Sequence, residues 1–300
     1  MRFHEAVGRT DGRPRRARPP GAPPVSPAAL GLVVPVLLAG LVCGSCGSKS
    51  TPTSPTSSAT SPPTLNACGI INGTTSQMLG ILNGSTCPTA NTSVVLLNLR
   101  TSDDRSIGQC SGTIIAPRAV LTAAHCLVDT AAPVAVVKVY LGSGAQIVAT
   151  SFQASPLYTG NNTSSLDVGV VLTGEDLARP AIPLLLSRDA VTGEQAVIAG
   201  WGQDRTGQGS NGTLRAGATT ISAVGTYYLQ TRISSSAAGV CSGDSGGPLL
   251  LSEGGVWALA GVTSATSTDA CSSGTDYYAR LRDADAVSFI LGLVPDASQK

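Results

Sequence analysis

Past residue 81 the chain breaks into short apolar runs, and this pattern constrains its fold more than any other feature. The runs lie at 93–99, 112–115, 134–141, 168–172, 195–199, 248–251 and 256–263. Each is four to eight residues long, many are β-branched, and Gly, Ser, Asn or Pro punctuates them. Such spacing marks many short strands closed into a sandwich or barrel. Helical spacing occurs only near the end, at 284–293. There Val287, Ile290 and Leu291 recur at i, i+3 and i+4, and Pro295 stops the run. No apolar run reaches the ~20 residues of a membrane-spanning helix.

The charge is divided unevenly. The whole chain carries 19 Lys+Arg and 18 Asp+Glu, a net of +1. Residues 1–80 hold seven of the basic and two of the acidic groups, so the remainder is −4 (12 basic against 16 acidic). The net charge therefore makes no general case for nucleic-acid or membrane binding, and no nucleic-acid partner is expected. The excess sits in an Arg-rich start, with Arg13, Arg15, Arg16 and Arg18 clustered. An apolar stretch at 28–42 follows, then Cys43-Gly44-Ser45-Cys46. Basic residues, a short apolar core and small residues read as a secretory leader over 1–46. Small residues before Cys46 resemble the bacterial lipoprotein signal. A lipid anchor at Cys46 and ordinary secretion both fit. Residues 48–64 are almost wholly Ser, Thr and Pro, which cannot bury a core. Residues 47–80 are thus expected to be a linker and propeptide-like segment ahead of a folded domain at 81–300.

Three segments carry chemistry. They are Leu121-Thr122-Ala123-Ala124-His125-Cys126, Leu166-Asp167-Val168-Gly169, and Gly243-Asp244-Ser245-Gly246-Gly247-Pro248. Alone, a His beside a Cys or an Asp heading an apolar run is more often structural. Together, in the order His, Asp, Ser with gaps of 42 and 78 residues, they form a pattern that chance rarely produces. A serine hydroxyl needs a base within hydrogen-bond reach, histidine titrates near neutrality, and a carboxylate fixes the imidazole tautomer.

The three segments resemble the chymotrypsin/trypsin-like serine peptidases, as do Gly200-Trp201-Gly202 and the strand Tyr278-Ala279-Arg280-Leu281. The likeness runs over about 81–294. It implies an all-β fold of two packed six-stranded antiparallel β-barrels with a C-terminal helix. It implies endopeptidase activity on protein or peptide substrates, through a catalytic triad of His125, Asp167 and Ser245 and an acyl-enzyme. The backbone N–H groups of Gly243 and Ser245 would form the oxyanion hole, and Ser264 would support Asp167. Protein inhibitors, a monomeric state and no cofactor are further implications. A protease-like binding module without catalysis is the competing class, and an esterase using the same triad is a second.

The resemblance also assigns cysteines. Cys110 with Cys126 and Cys241 with Cys271 match family pairs, which leaves Cys68 and Cys87 for each other. No Cys-x₂-Cys pair with His lies in the folded part, so no metal site is expected there. Residues 130–166 hold no Asp or Glu, which speaks against the family's calcium loop. Zymogen activation in the family frees an Ile or Val that pairs with the Asp before the nucleophile, here Asp244. Ile70 and Ile81 are both candidates. Ile81 lies 29 residues before Cys110, close to the family norm, and is favoured. Gly80 before it makes a trypsin-like activator a poor match.

Specificity departs from the pattern. The pocket-floor position is Gly239, where trypsins carry Asp, and the wall position is Asp276, where Gly is usual. This exchange moves a negative charge rather than deleting it. It favours Arg or Lys at P1, while a narrowed pocket for small or polar P1 residues is the alternative. After Ser264 comes Ala265-Thr266, where many relatives have Trp-Gly, so the apolar shelf beyond the pocket is weaker.

Overall fold

A computed structural model describes residues 65–73, 84–161, 164–204, 212–234, 236–268 and 271–300. The leader, Cys43, Cys46, the Ser/Thr/Pro stretch, Gly80 and Ile81 lie outside the described residues.

Thirteen strands are described, and twelve of them close two antiparallel barrels. The first barrel comprises β2 (Val94–Arg100), β3 (Ser106–Ala116), β4 (Ala119–Thr122), β5 (Val136–Tyr140), β6 (Ile147–Ala154) and β7 (Gly169–Thr173). Their order is β2-β3-β4-β7-β6-β5, closed by β5 on β2. The second comprises β8 (Gln195–Gly200), β9 (Arg215–Val224), β10 (Tyr228–Arg232), β11 (Pro248–Glu253), β12 (Val256–Thr266) and β13 (Thr275–Arg280). Pairing of β8 with both β9 and β11 closes it. The short β1 (Ser85–Thr86) adds to the outside of β9. Closure removes the unpaired edges that otherwise invite aggregation.

The apolar runs became strands because they fill the barrel interiors. All six residues Val94–Leu99 are buried on β2, as are Leu249–Leu251 on β11. The second barrel's own core includes Ile198, Ile221, Leu229, Leu249, Leu251 and Tyr278. A larger cluster fills the first barrel and continues into the seam through Trp201, Leu250, Leu259 and Val262. Trp201 is fully buried there and donates its Nε1–H to Val94 O at 3.1 Å.

Two features differ from the sequence expectation. Ordered structure begins before residue 81. Helix α1 (Ala67–Ile71) buries Ala67 and Ile71, and Ser93 N–H donates to Ile71 O at 3.0 Å. The C-terminal helix α3 (Ala284–Leu293) is present, but its buried residues are Ala286 and Ile290. Val287 and Leu291 are only half-buried. The buried stripe is turned by about one residue, with Ala286 in the place expected of Val287, while Phe289, Leu291 and Leu293 pack on the core partly buried. The Asp283 side chain caps it, accepting from Asp285 N and Ala286 N. Between α1 and α3 lies the single turn α2 (His125–Val128).

Candidate active site

Each barrel contributes half of the site. Strand β4 ends at Thr122, and His125 opens α2 three residues on. Asp167 lies just ahead of β7, in the same barrel. Ser245 lies in the turn before β11, and Ser264 lies within β12 of the other barrel. The Ser111 N–H of β3 donates to Ser245 O at 2.8 Å, tying the serine's turn to the first barrel.

Asp167 is fully buried and accepts three hydrogen bonds. Its Oδ1 takes the His125 backbone N–H at 2.9 Å. Its Oδ2 takes His125 Nδ1–H at 2.7 Å and the Ser264 hydroxyl at 2.5 Å. A buried carboxylate needs this satisfaction, since an unpaired one would neutralise instead. It also fixes the proton on Nδ1 and leaves Nε2 as a base. The imidazole remains 17% exposed, so Nε2 is reachable. Among the described residues, no hydrogen bond joins the Ser245 hydroxyl to Nε2, which lies 3.7 Å from Cys126 Sγ.

The Gly243–Gly247 turn is shaped by contacts that exclude side chains. Gly243 and Gly246 have φ of 94° and 84°, a region that L side chains avoid. A Cβ on Gly246 would lie 2.1 Å from Thr122 Oγ1 and 2.3 Å from Ser111 O. Among the described residues the backbone N–H groups of Gly243 and Ser245 donate to no protein acceptor. The turn therefore presents two free donors. Ser111, which sequence reasoning passed over, accepts from Trp201 N and donates to Gly243 O, each at 2.9 Å. Its only sequence signal is its place beside Cys110.

Asp244 points away from the cleft. It is buried, accepting from Gly202 N at 2.8 Å and Cys241 N at 2.9 Å. Burial pushes its carboxyl up to about 7, against the pull of those N–H groups and of Arg215. A Cβ on Gly200 or Gly202 would come within 2.1 or 2.6 Å of this carboxyl, which explains both glycines of Gly-Trp-Gly. Its expected partner Ile81 is outside the described residues. Ile70, the other candidate, is held inside α1.

The specificity residues sit together behind the turn. A Cβ on Gly239 would lie 2.2 Å from Ile233 Cγ1, so an apolar side chain fills the direction a floor carboxylate would take. Asp276 is fully buried. Its Oδ2 accepts from Val240 N at 3.1 Å, and its Oδ1 has no partner among the described residues. Burial pushes this carboxyl up to about 6.

The structure joins Cys68 to Cys87, Cys110 to Cys126, and Cys241 to Cys271. The first bond ties α1 to the residue after β1. The second spans the histidine segment, and the third spans the turn carrying Ser245. Cys110, His125 and Cys126 have ligand atoms close together. The disulfide consumes both thiols, so the cluster has only the imidazole to offer a metal.

The family model for Trypsin matches residues 81–287, more than two thirds of the chain. The chain belongs to the trypsin family. Serine protease SP24D of Anopheles gambiae is 30% identical over 191 residues, covering 58% of this chain and 68% of that protein. Trypsin alpha of Drosophila melanogaster is 30% identical over 209 residues, covering 63% and 78%. Trypsin beta of Drosophila erecta is 28% identical over 215 residues, covering 65% and 82%. These relatives come from insects and give no support to a bacterial source. Among solved structures, HL collagenase matches with a TM-score of 0.56 at 22% identity, and HBP with 0.54 at 23%. Each covers 68% of this chain and 93% of its own, and each speaks for the trypsin-family fold alone.

Proposed function

We propose that the protein is a secreted serine endopeptidase that cleaves protein substrates through an acyl-enzyme. The observation that carries this is the hydrogen-bonded array Ser264–Asp167–His125, together with the Ser245 turn, which is tied to the first barrel through Ser111 N–H and whose Gly243 and Ser245 N–H groups have no protein acceptor among the described residues. In this reading His125 Nε2 takes the Ser245 proton as Oγ attacks the scissile carbonyl. Asp167 stabilises the resulting imidazolium, and the Gly243 and Ser245 N–H groups hold the oxyanion. Each such donor contributes about 3–4 kcal/mol. The imidazolium then protonates the leaving amine, and water repeats the sequence to release the acid.

Cleavage before Ile81 completes the site. The new N-terminal ammonium supplies an ion-pair partner for the buried Asp244, which has none among the described residues, and His125 and Ser245 come to hydrogen-bond distance. Residues 65–73 stay attached through Cys68–Cys87. The domain acts as a monomer, open to protein inhibitors that fill the same cleft. Asp276 favours Arg or Lys at P1, supported by its unpaired Oδ1 and by the Ile233 side chain where a floor carboxylate would stand. Residues 1–46 direct secretion, residues 47–80 form the linker and propeptide, and Cys46 is the candidate for lipid attachment. The mass of the amino-terminal peptide decides that last point.

Treatment with a fluorophosphonate probe before and after limited proteolysis tests the reading. Labelling of Ser245 after cleavage, lost in His125→Ala and accompanied by hydrolysis of casein, is expected. No labelling under either condition leaves a non-catalytic binding module. Labelling with ester turnover but no protein cleavage leaves an esterase.

A further inference from the structure

The three bonds to Asp167 do not explain what fixes the segment that carries it. Residues 164–168 form an irregular stretch before β7, and such a stretch needs outside support to hold a carboxylate in register. Its own barrel supplies part of that support, with Ser155 N–H donating to Val168 O at 2.8 Å and the Ser165 hydroxyl donating to Asn161 O at 2.6 Å, and the other barrel supplies the rest. Tyr228 opens β10 directly after the tight turn from β9, closed by Gly225 N–H donating to Tyr228 O at 2.7 Å. Its ring is 5% exposed and packs edge-on against Tyr277, with centroids 6.4 Å apart. Its hydroxyl donates to Ser165 O at 2.6 Å, two residues before Asp167. The Ser264 side chain lies within hydrogen-bond reach of the same phenolic oxygen. Tyr228 therefore touches both the backbone that carries Asp167 and the hydroxyl that binds its Oδ2.

We propose that Tyr228 is a positioning residue for Asp167, a phenolic strut from the second barrel that sets the carboxylate against His125. The inference rests on the triad reading above. Burial and the nearby Asp167 charge push the phenol well above its usual range, so it stays protonated and keeps donating to Ser165. The other ionisable groups about this carboxylate are His125 itself and Tyr158, whose hydroxyl is committed to Asp129 Oδ2 at 3.2 Å. Neither can take over the contact to Ser165. The feature has no motif: Thr226-Tyr227-Tyr228 reads as an ordinary turn and strand start.

The experiment compares Tyr228→Phe with wild type in the full-length, processed protein. Phe keeps the ring against Tyr277 and deletes only the hydroxyl. The expected result is kcat on an amide substrate lower by about tenfold, the loss of one well-placed hydrogen bond, with KM unchanged. The acid limb of kcat/KM should move to lower pH, because a displaced Asp167 stabilises the imidazolium less. Tyr227→Phe, at the exposed neighbour, should leave both unchanged. A purely structural role for Tyr228 would lower the melting temperature and move neither. A folded Tyr228→Phe with wild-type kcat and an unmoved acid limb overturns the proposal. Should that variant not accumulate, Tyr228→Met, which also fills the site without a hydroxyl, is held to the same result. Wild type that never labels with the fluorophosphonate defeats the triad reading and this one with it. Wild type that labels beside an unaffected Tyr228→Phe defeats this one alone.

Discussion

Replacing Asp276 with Asn should stabilise the fold and abolish the preference for basic P1 residues. Asp276 is fully buried, with one oxygen bonded to Val240 N–H and the other unpaired. Burial carries its carboxyl from 3.8 to about 6. A folded-state value above the unfolded one means that the native protein holds a proton the unfolded chain releases. Stability is thus lost as pH rises from about 4 to above 6, and the whole loss is about 3 kcal/mol. Asn cannot ionise and escapes it. Its carbonyl can still accept from Val240 N–H. The Thr266 hydroxyl, opposite on β12 and near enough to the carboxyl to pull its pKa down, can serve the Asn amide equally. At about pH 8 the variant should be up to about 3 kcal/mol more stable, or about 6–12 °C in Tm for a domain of this size. Near pH 4 the two should melt together. Asp244 also carries a raised value, to about 7, with Asp276 among its causes. Both proteins therefore lose stability with pH, and the difference between their curves isolates Asp276. Thermal melts followed by circular dichroism across this range provide the measurement. Parallel curves at every pH, or a variant less stable at pH 8, would rule out a proton-linked cost at Asp276. A peptide library supplies the second arm: wild type should enrich Arg and Lys at P1, and Asp276→Asn should not.

Two further outcomes follow from local geometry. Gly246→Ala should cost at least about 3 kcal/mol through positive φ and overpacking against Thr122 and Ser111, read as a fall in the urea midpoint. Processed protein should migrate as one species on a denaturing gel and shed its amino-terminal fragment only after reduction, because Cys68–Cys87 bridges the cleavage point.

The fold was most legible where strands fill interiors. The run at 93–99 became β2 and the run at 248–251 became β11 because almost every side chain there is buried. Strands β6 and β9 escaped the same reading. Phe152 is the only large apolar residue between Ala149 and Ala154 of β6, and no residue of that strand is fully buried. Strand β9 is mostly Gly, Ala, Thr and Ser, with Ile221 the one large apolar residue in its interior, so it gives no apolar run although four of its ten positions are buried. In the site, His125, Asp167 and Ser245 stood out because motifs surround them. Tyr228 did not, since its role arises from a contact 63 residues away in sequence. The missing hydrogen bond between Ser245 and His125 among the described residues and the burial of Asp276 are likewise tertiary facts. Residue order carries no trace of them.

The division of the site between barrels reaches beyond catalysis. Asp167 and His125 belong to one barrel, Ser245, Ser264 and Tyr228 to the other, and Trp201 and Ser111 fasten the seam between them. Each barrel can be sound on its own and still hold only half a reaction. A wedge at the seam, whether a mutation, a bound inhibitor or an unprocessed amino terminus, can therefore silence the chain without meeting a single reacting atom.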